Sequence, residues 1–191
     1  MLFPKKIRSQ ISFLLALAFI LPACEGETPP MQNPPKEITT LAYTLIPTGG
    51  GADAVLSYED LDGENGANPP SYIIEPLKAN TSYSGTIVIL NKRVSPATNI
   101  TSELLAEAED YQLFYETEGG ANATFTYTDQ DNDGNPIGIM TTLSTGSPGS
   151  GKINIRLVYQ PEKDATGVAS GDITNANGRT DKVVSFDVLI Q

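Results

Sequence analysis

Beyond residue 37 apolar side chains recur at every second position, the period of a strand with one face buried. Thr39, Leu41, Tyr43 and Leu45 alternate in a first strand, and Ala54, Leu56 and Tyr58 alternate in a second. Tyr83, Gly85, Ile87 and Ile89 mark one face of a further strand whose other face carries Val88 and Leu90, which predicts a central strand covered on both sides. Leu113 and Tyr115 lie in a short strand, and Phe125 and Tyr127 open a hairpin completed by Ile137, Ile139, Thr141 and Leu143. Ile153, Ile155, Leu157 and Tyr159 alternate with Lys152, Asn154, Arg156 and Gln160, and Val184, Phe186, Val188 and Ile190 form a last strand. One segment, Asn99 to Asp110, has a helical pattern instead. Asn99 is placed to cap it, Glu103 sits near its amino end, and Leu104, Leu105 and Ala108 supply the packing face. Eight or so short strands and one short connecting helix predict an all-β fold, an antiparallel two-sheet β-sandwich that includes the immunoglobulin-like arrangement. A barrel is the alternative, since strand count does not separate the two.

The first residues follow another pattern. Lys5, Lys6 and Arg8 precede an apolar run from Ile11 to Leu21, shorter than the ~20 residues needed to span a bilayer, and the run ends at Ala23-Cys24. Leu21-Pro22-Ala23-Cys24 resembles the lipobox of bacterial lipoproteins. That resemblance implies a signal peptide over 1–23, cleavage before Cys24, thioether diacylation of its thiol and acylation of the new amino terminus, palmitate among the chains. Residues 24–36, rich in Pro and polar side chains, then form an extended lipidated tether reaching roughly 30 Å. Residues 37–191 form a single sandwich domain.

Charge and composition narrow the functions. Residues 1–23 hold three of the 12 basic residues and none of the 23 acidic ones, so the remaining chain has a net charge of −14 against −11 for the whole. Phosphate backbones would repel such a body, which excludes nucleic acid as a partner. Histidine is absent, removing the usual general base, the imidazole metal ligand and the Ser–His and Cys–His pairs. Cys24 is the sole cysteine, so no intrachain disulfide can form and stability rests on burial.

Three loops carry candidate chemistry. Asp129-Gln-Asp131-Asn-Asp133-Gly134 has the alternating carboxylates and turn glycine of calcium loops, although Met140 stands where an EF-hand would place its bidentate Glu. The same residues also make side-chain-to-backbone turns, so a calcium site and a plain hairpin loop both remain open. Asp60-Leu-Asp62-Gly63-Glu64 is a second acidic loop, whose spacing could make half of a calcium site or a plain turn. Pro161 to Lys182 is long for an unstructured connection in a compact domain. Its Asp172, Asn175, Asn177 and Arg179 suit a polar ligand or a partner, while Val168 and Ile173 could pack it down as an Ω-like loop. Gly146 to Lys152 matches a P-loop by count alone, since a strand rather than a helix follows, and reads as a hairpin connection. Tyr72 and Tyr111 are the tyrosines expected to be exposed. Glu75, Glu116, Glu118 and Asp187 could serve a hydrolase, but no spacing singles out a pair.

Several turn-like stretches carry a family resemblance: Leu45-Ile-Pro-Thr-Gly-Gly-Gly51, Tyr58-Glu-Asp-Leu-Asp-Gly63, Leu77-Lys-Ala-Asn-Thr-Ser-Tyr-Ser-Gly85, Tyr127-Thr-Asp-Gln-Asp131, Gly134-Asn-Pro-Ile-Gly138 and Ser170-Gly-Asp-Ile-Thr-Asn175. Together they resemble a family of small β-rich lipoproteins of Bacteroidota, often labelled as having a type 1 periplasmic binding fold. That fold needs two α/β lobes, so the strand pattern takes precedence here. The family tends to carry a histidine near the end of the helix, where this chain has Asp110-Tyr111-Gln112. The resemblance implies a non-catalytic lipoprotein of the cell envelope, most naturally the outer membrane, acting as a binding or accessory module for a receptor or transport system. The alternative is a lipid-anchored glycan or polysaccharide hydrolase.

Overall fold

A computed structural model of the chain describes residues 33–63 and 66–191. The signal segment, Cys24 and most of the tether lie outside the described residues. The elements run β1 (Thr40–Pro47), β2 (Ala54–Glu59), β3 (Ser71–Ile74), β4 (Ser82–Asn91), β5 (Thr98–Asn99), α1 (Ile100–Ala106), β6 (Tyr111–Gly119), β7 (Ala123–Tyr127), β8 (Met140–Thr145), β9 (Gly149–Tyr159) and β10 (Arg179–Ile190). Short 3-10 turns lie at Ala108–Asp110, Val168–Ser170 and Ile173–Asn175.

Among the described residues the strands form two antiparallel sheets. The larger has the order β3-β2-β1-β4-β8-β7, with β5 appended to β4, and the smaller has β10-β9-β6. The sheets face each other across one core, and the predicted alternation supplies it. Leu41, Tyr43, Leu45, Leu56, Tyr83, Ile87 and Ile89 face inward from the large sheet; Leu113, Ile153, Ile155, Leu157, Val184, Phe186 and Val188 face them from the small one. The chain is an antiparallel β-sandwich.

The helix is shorter than its pattern suggests. Asn99 Oδ1 accepts the Ser102 N–H at 3.1 Å and caps it as expected. Ile100, Leu104 and Ala108 are buried, whereas Leu105 projects into solvent. Two further expectations are corrected. β4 is central but covered on one face alone, with Val88 43% exposed. Residues 146–148 do not close a hairpin, because β8 belongs to the large sheet and β9 to the small one, so this turn carries the chain from one sheet to the other. β3, a four-residue edge strand flanked by prolines, escapes a period-two reading altogether.

The open side of the sandwich is stitched at the end of β10. Leu77, arriving from β3 in the large sheet, donates its N–H to Leu189 O at 2.8 Å and accepts the Gln191 N–H at 2.9 Å. Both sheets therefore share a hydrogen-bonded seam at this corner.

Glycine in mid-strand usually weakens a sheet, but Gly85 has a defined task. It pairs with Leu45 on β1 and with Thr141 on β8. The Tyr43 ring crosses over it, so that Tyr43 Oη and Thr141 Oγ1 meet at 2.6 Å. Burial raises the Tyr43 hydroxyl pKa well above its usual value, and the Thr141 bond opposes that only in part. A Cβ at Gly85 would lie inside the van der Waals envelope of Tyr43 Oη, Cε2 and Cζ. Gly85→Ala should therefore cost about 1–3 kcal/mol and lower Tm by roughly 2–12 °C. Adding Tyr43→Leu should recover part of that loss in the same thermal melt.

Candidate functional site

The Asp-rich loop is the connection between β7 and β8. Asp129 points back into it, accepting the N–H groups of Gly138 (2.9 Å), Ile139 (2.7 Å) and Met140 (2.9 Å). Asp131 is buried. Its Oδ1 accepts the N–H groups of Asp133 and Asn135 at 3.1 and 2.8 Å, and its Oδ2 faces Lys163 Nζ at 2.8 Å. Asp133 stays on the rim of a shallow hollow with Glu109, Glu162 and Asp164.

Lys163 is the residue that sequence reasoning missed. Its side chain is 6% exposed and its Nζ also donates to Ala108 O (2.7 Å) and Pro136 O (3.2 Å). Three oxygens, one of them from Asp131, thus surround the ammonium. The structure does not bring Asp129, Asp131 and Asp133 together. Among the described residues no three acidic side chains gather closely enough to hold a metal ion. A bare lysine between Glu162 and Asp164 gives no signal of burial in sequence. Burial opposes ionisation of Asp131, but the Lys163 ammonium and the Asn135 and Asp133 N–H groups outweigh it and hold its carboxyl below the usual range.

The second acidic loop is similarly engaged in its own turn. Asp60 accepts from Gly63 N (2.7 Å) and Tyr58 Oη (3.1 Å), and Asp62 from Asn68 N (3.0 Å) and Nδ2 (2.9 Å).

The long segment after β9 packs as an Ω-like layer. Val168 and Ala176 seat on Phe114 and Val158 of the small sheet's outer face, with Ile173 alongside, and the buried Gln112 Nε2 donates to Val168 O at 3.0 Å. The four candidate ligand residues lie in this layer. Asp172 caps the turn at Ile173–Asn175 by accepting the Thr174 N–H at 2.9 Å. Asn175 Nδ2 donates to Thr166 O at 2.9 Å, and Asn177 takes a left-handed backbone at φ 49°. Arg179 opens β10, pairing with Asp181 at 2.7 Å and covering the Tyr159 ring at 4.7 Å. These side chains are not gathered around a shared cavity.

The remaining candidates scatter. Glu116 pairs with Arg156 (3.3 Å) and Asp187 with Lys152 (2.7 Å), Glu118 accepts from Asn154 Nδ2 (2.7 Å), and Glu75 accepts the Val55 N–H (2.7 Å). In register, Lys152 stands between Glu118 and Asp187 on adjacent strands. Tyr72 is exposed as expected, at 45%. Tyr111 is not: it is fully buried, and burial pushes its hydroxyl up to about 12.

Lys36, assigned by sequence to the tether, is seated in the fold. Its Nζ lies 3.1 Å from Glu103, 3.0 Å from Glu107 and 5.4 Å from the Tyr111 ring centre. Burial works against this ammonium, but the two carboxylates outweigh it and raise its pKa.

Comparison with family models, with curated proteins and with solved structures finds no match to this chain.

Three outcomes follow from the Lys163 cage. Calcium and magnesium at equal ionic strength should shift Tm equally, since neither finds a prepared site; a calcium-specific rise would contradict the geometry. Asp131→Asn should cost about 3–5 kcal/mol in a denaturant melt, because it leaves a buried ammonium without its counter-charge. The pH dependence has a defined sign. Asp131 has a folded pKa below its unfolded value of about 4, so the stabilisation is complete above that value and is lost as pH falls through the folded one. Between pH 5 and pH 2, stability should fall more steeply in the parent than in an Asp131→Asn/Lys163→Met chain.

Proposed function

We propose that this protein is a lipid-anchored, non-catalytic lipoprotein of the cell envelope that serves as a binding or accessory module for an outer-membrane receptor or transport system. The observation that carries the reading is Cys24 directly after a basic segment and a short apolar run, followed by a polar Pro-rich stretch leading to a self-contained body. The sandwich supports it. Its acidic loops, its buried lysine and its long loop are engaged in holding the fold, which suits a rigid body presented at the end of a tether. No helix among the described residues is long and apolar enough to cross a membrane, so the attachment in this reading is the lipid alone.

Cys24→Ser tests the anchor. The parent should sediment with membranes and incorporate labelled palmitate, and the variant should do neither. A variant that still sediments and still carries label would overturn the anchor. Crosslinking in intact cells tests the accessory role: the anchored chain should copurify with a membrane-embedded partner, and recovery of the chain alone would count against it.

A further inference from the structure

Asp131 and Asp60 are both buried, at 8% and 6% exposed, but their charges are met differently. Asp131 has the Lys163 ammonium. The Asp60 oxygens accept from neutral donors, the Gly63 N–H at 2.7 Å and Tyr58 Oη at 3.1 Å. Buried carboxylates are ordinarily paired with a cation. Among the described residues no ammonium or guanidinium forms an ion pair with Asp60. Arg93, behind the same loop, is committed to Leu61 O, Asp62 O and the Glu37 carboxylate. A carboxylate offers about four acceptor positions, and the two bonds that Asp60 makes leave the others open.

Asp60 lines a hollow of about 350 Å³ between the β2–β3 loop and the start of β10. Tyr58, Tyr72, Pro69 and Val183 supply aromatic and apolar walls, with Asn68 beside them. The Tyr72 ring meets the rings of Tyr58 and Phe186 edge-on, at 5.5 and 6.1 Å between centres. Those contacts fix its orientation while nearly half of the residue stays exposed. A second ring already attracts a cation from within the chain, since Lys182 Nζ lies 5.1 Å from the Tyr58 ring centre. We propose that this hollow seats a guanidinium group, the side chain of an arginine. A guanidinium brings a fork of N–H donors for the open acceptor positions of Asp60 and a flat, weakly hydrated face for Tyr72. A hard metal ion takes about six to eight oxygens, whereas Asp60 is the sole carboxylate among the residues lining this hollow. The negative charge of the whole body, −11, draws cations toward it. The seat belongs to the folded body and does not depend on lipid anchoring.

Titration of the isotope-labelled full chain with N-acetylarginine amide, followed by NMR in about 150 mM salt, tests the seat. The Gly63 amide, bonded to Asp60, and the Tyr72 ring should shift and saturate. N-acetylcitrulline amide, of nearly the same shape without the charge, should leave both in place. Asp60→Asn keeps a side-chain acceptor for the Gly63 N–H and should weaken binding about tenfold or more. Tyr72→Leu, at a half-exposed position, should weaken it several-fold, and it decides the question if the Asp60 variant does not fold. Free arginine binding as tightly as the blocked form would support the seat and assign it to the free amino acid. A preference for the blocked form would support it and assign it to an arginine within a peptide. Shifts that never saturate, that appear equally at the amides of the Asp129–Asp133 loop, or that citrulline reproduces would each overturn the proposal. So would an affinity that Tyr72→Leu leaves unchanged.

Discussion

Lys163 Nζ joins three parts of the chain that are remote in sequence. Ala108 O comes from the turn after α1, Asp131 Oδ2 and Pro136 O from the β7–β8 connection, and the lysine from the loop after β9. An ammonium this buried is tolerable only when its oxygens are all present, because the desolvation penalty is several kcal/mol. The three segments must therefore take their places together. Once Lys163 is fixed, the chain leaving it is led across β6 and β9, so that Val168 and Ala176 arrive over Phe114 and Val158. A buried cation thus determines how the outer side of the small sheet is sealed.

The sealing leaves the molecule lopsided. Ion pairs and a packed loop occupy the outer side of one sheet, while the opposite sheet presents threonine, serine and aliphatic side chains on its strands β1, β4, β8 and β7. Charged residues on exposed strands are a general defence against unwanted sheet contacts. Here that defence is present on β9 and β10 and missing on β1, β4, β7 and β8.

The inward pattern of the strands was legible from alternation alone, because burial on one face leaves a period of two, and the cap at Asn99 was legible from side-chain chemistry. Alternation reports which residues meet a core but not which sheet a strand joins, so the passage from β8 to β9 between sheets read as a hairpin. It is also blind to what covers an outer face: β4 looked enclosed and is open, while Phe114 and Val158, outside the alternating set, lie beneath the long loop. The acidic loop was legible in sequence but its role was not, since Asp–Asn–Gly spacing looks the same whether the carboxylates hold a metal, backbone amides or an ammonium. Lys36 and Lys163 could not be anticipated, because the environment that makes a lysine structural is assembled from distant segments. Asp172, Asn175, Asn177 and Arg179 were read as suited to a polar ligand or a partner; Asp172, Asn175 and Arg179 have partners within the chain itself.

The ring of Tyr43 lying across Gly85 to reach Thr141 makes three neighbouring strands interdependent at the level of single atoms. The vacancy at Gly85 is the volume that the tyrosine fills. Positions 43, 85 and 141 consequently form one unit of variation: a larger residue at 85 is admissible only with a smaller one at 43, and the hydroxyl at 141 loses its 2.6 Å partner if the tyrosine is replaced. Drift at any one of these sites is restrained by the other two, so changes among them should accumulate as coordinated sets instead of single steps.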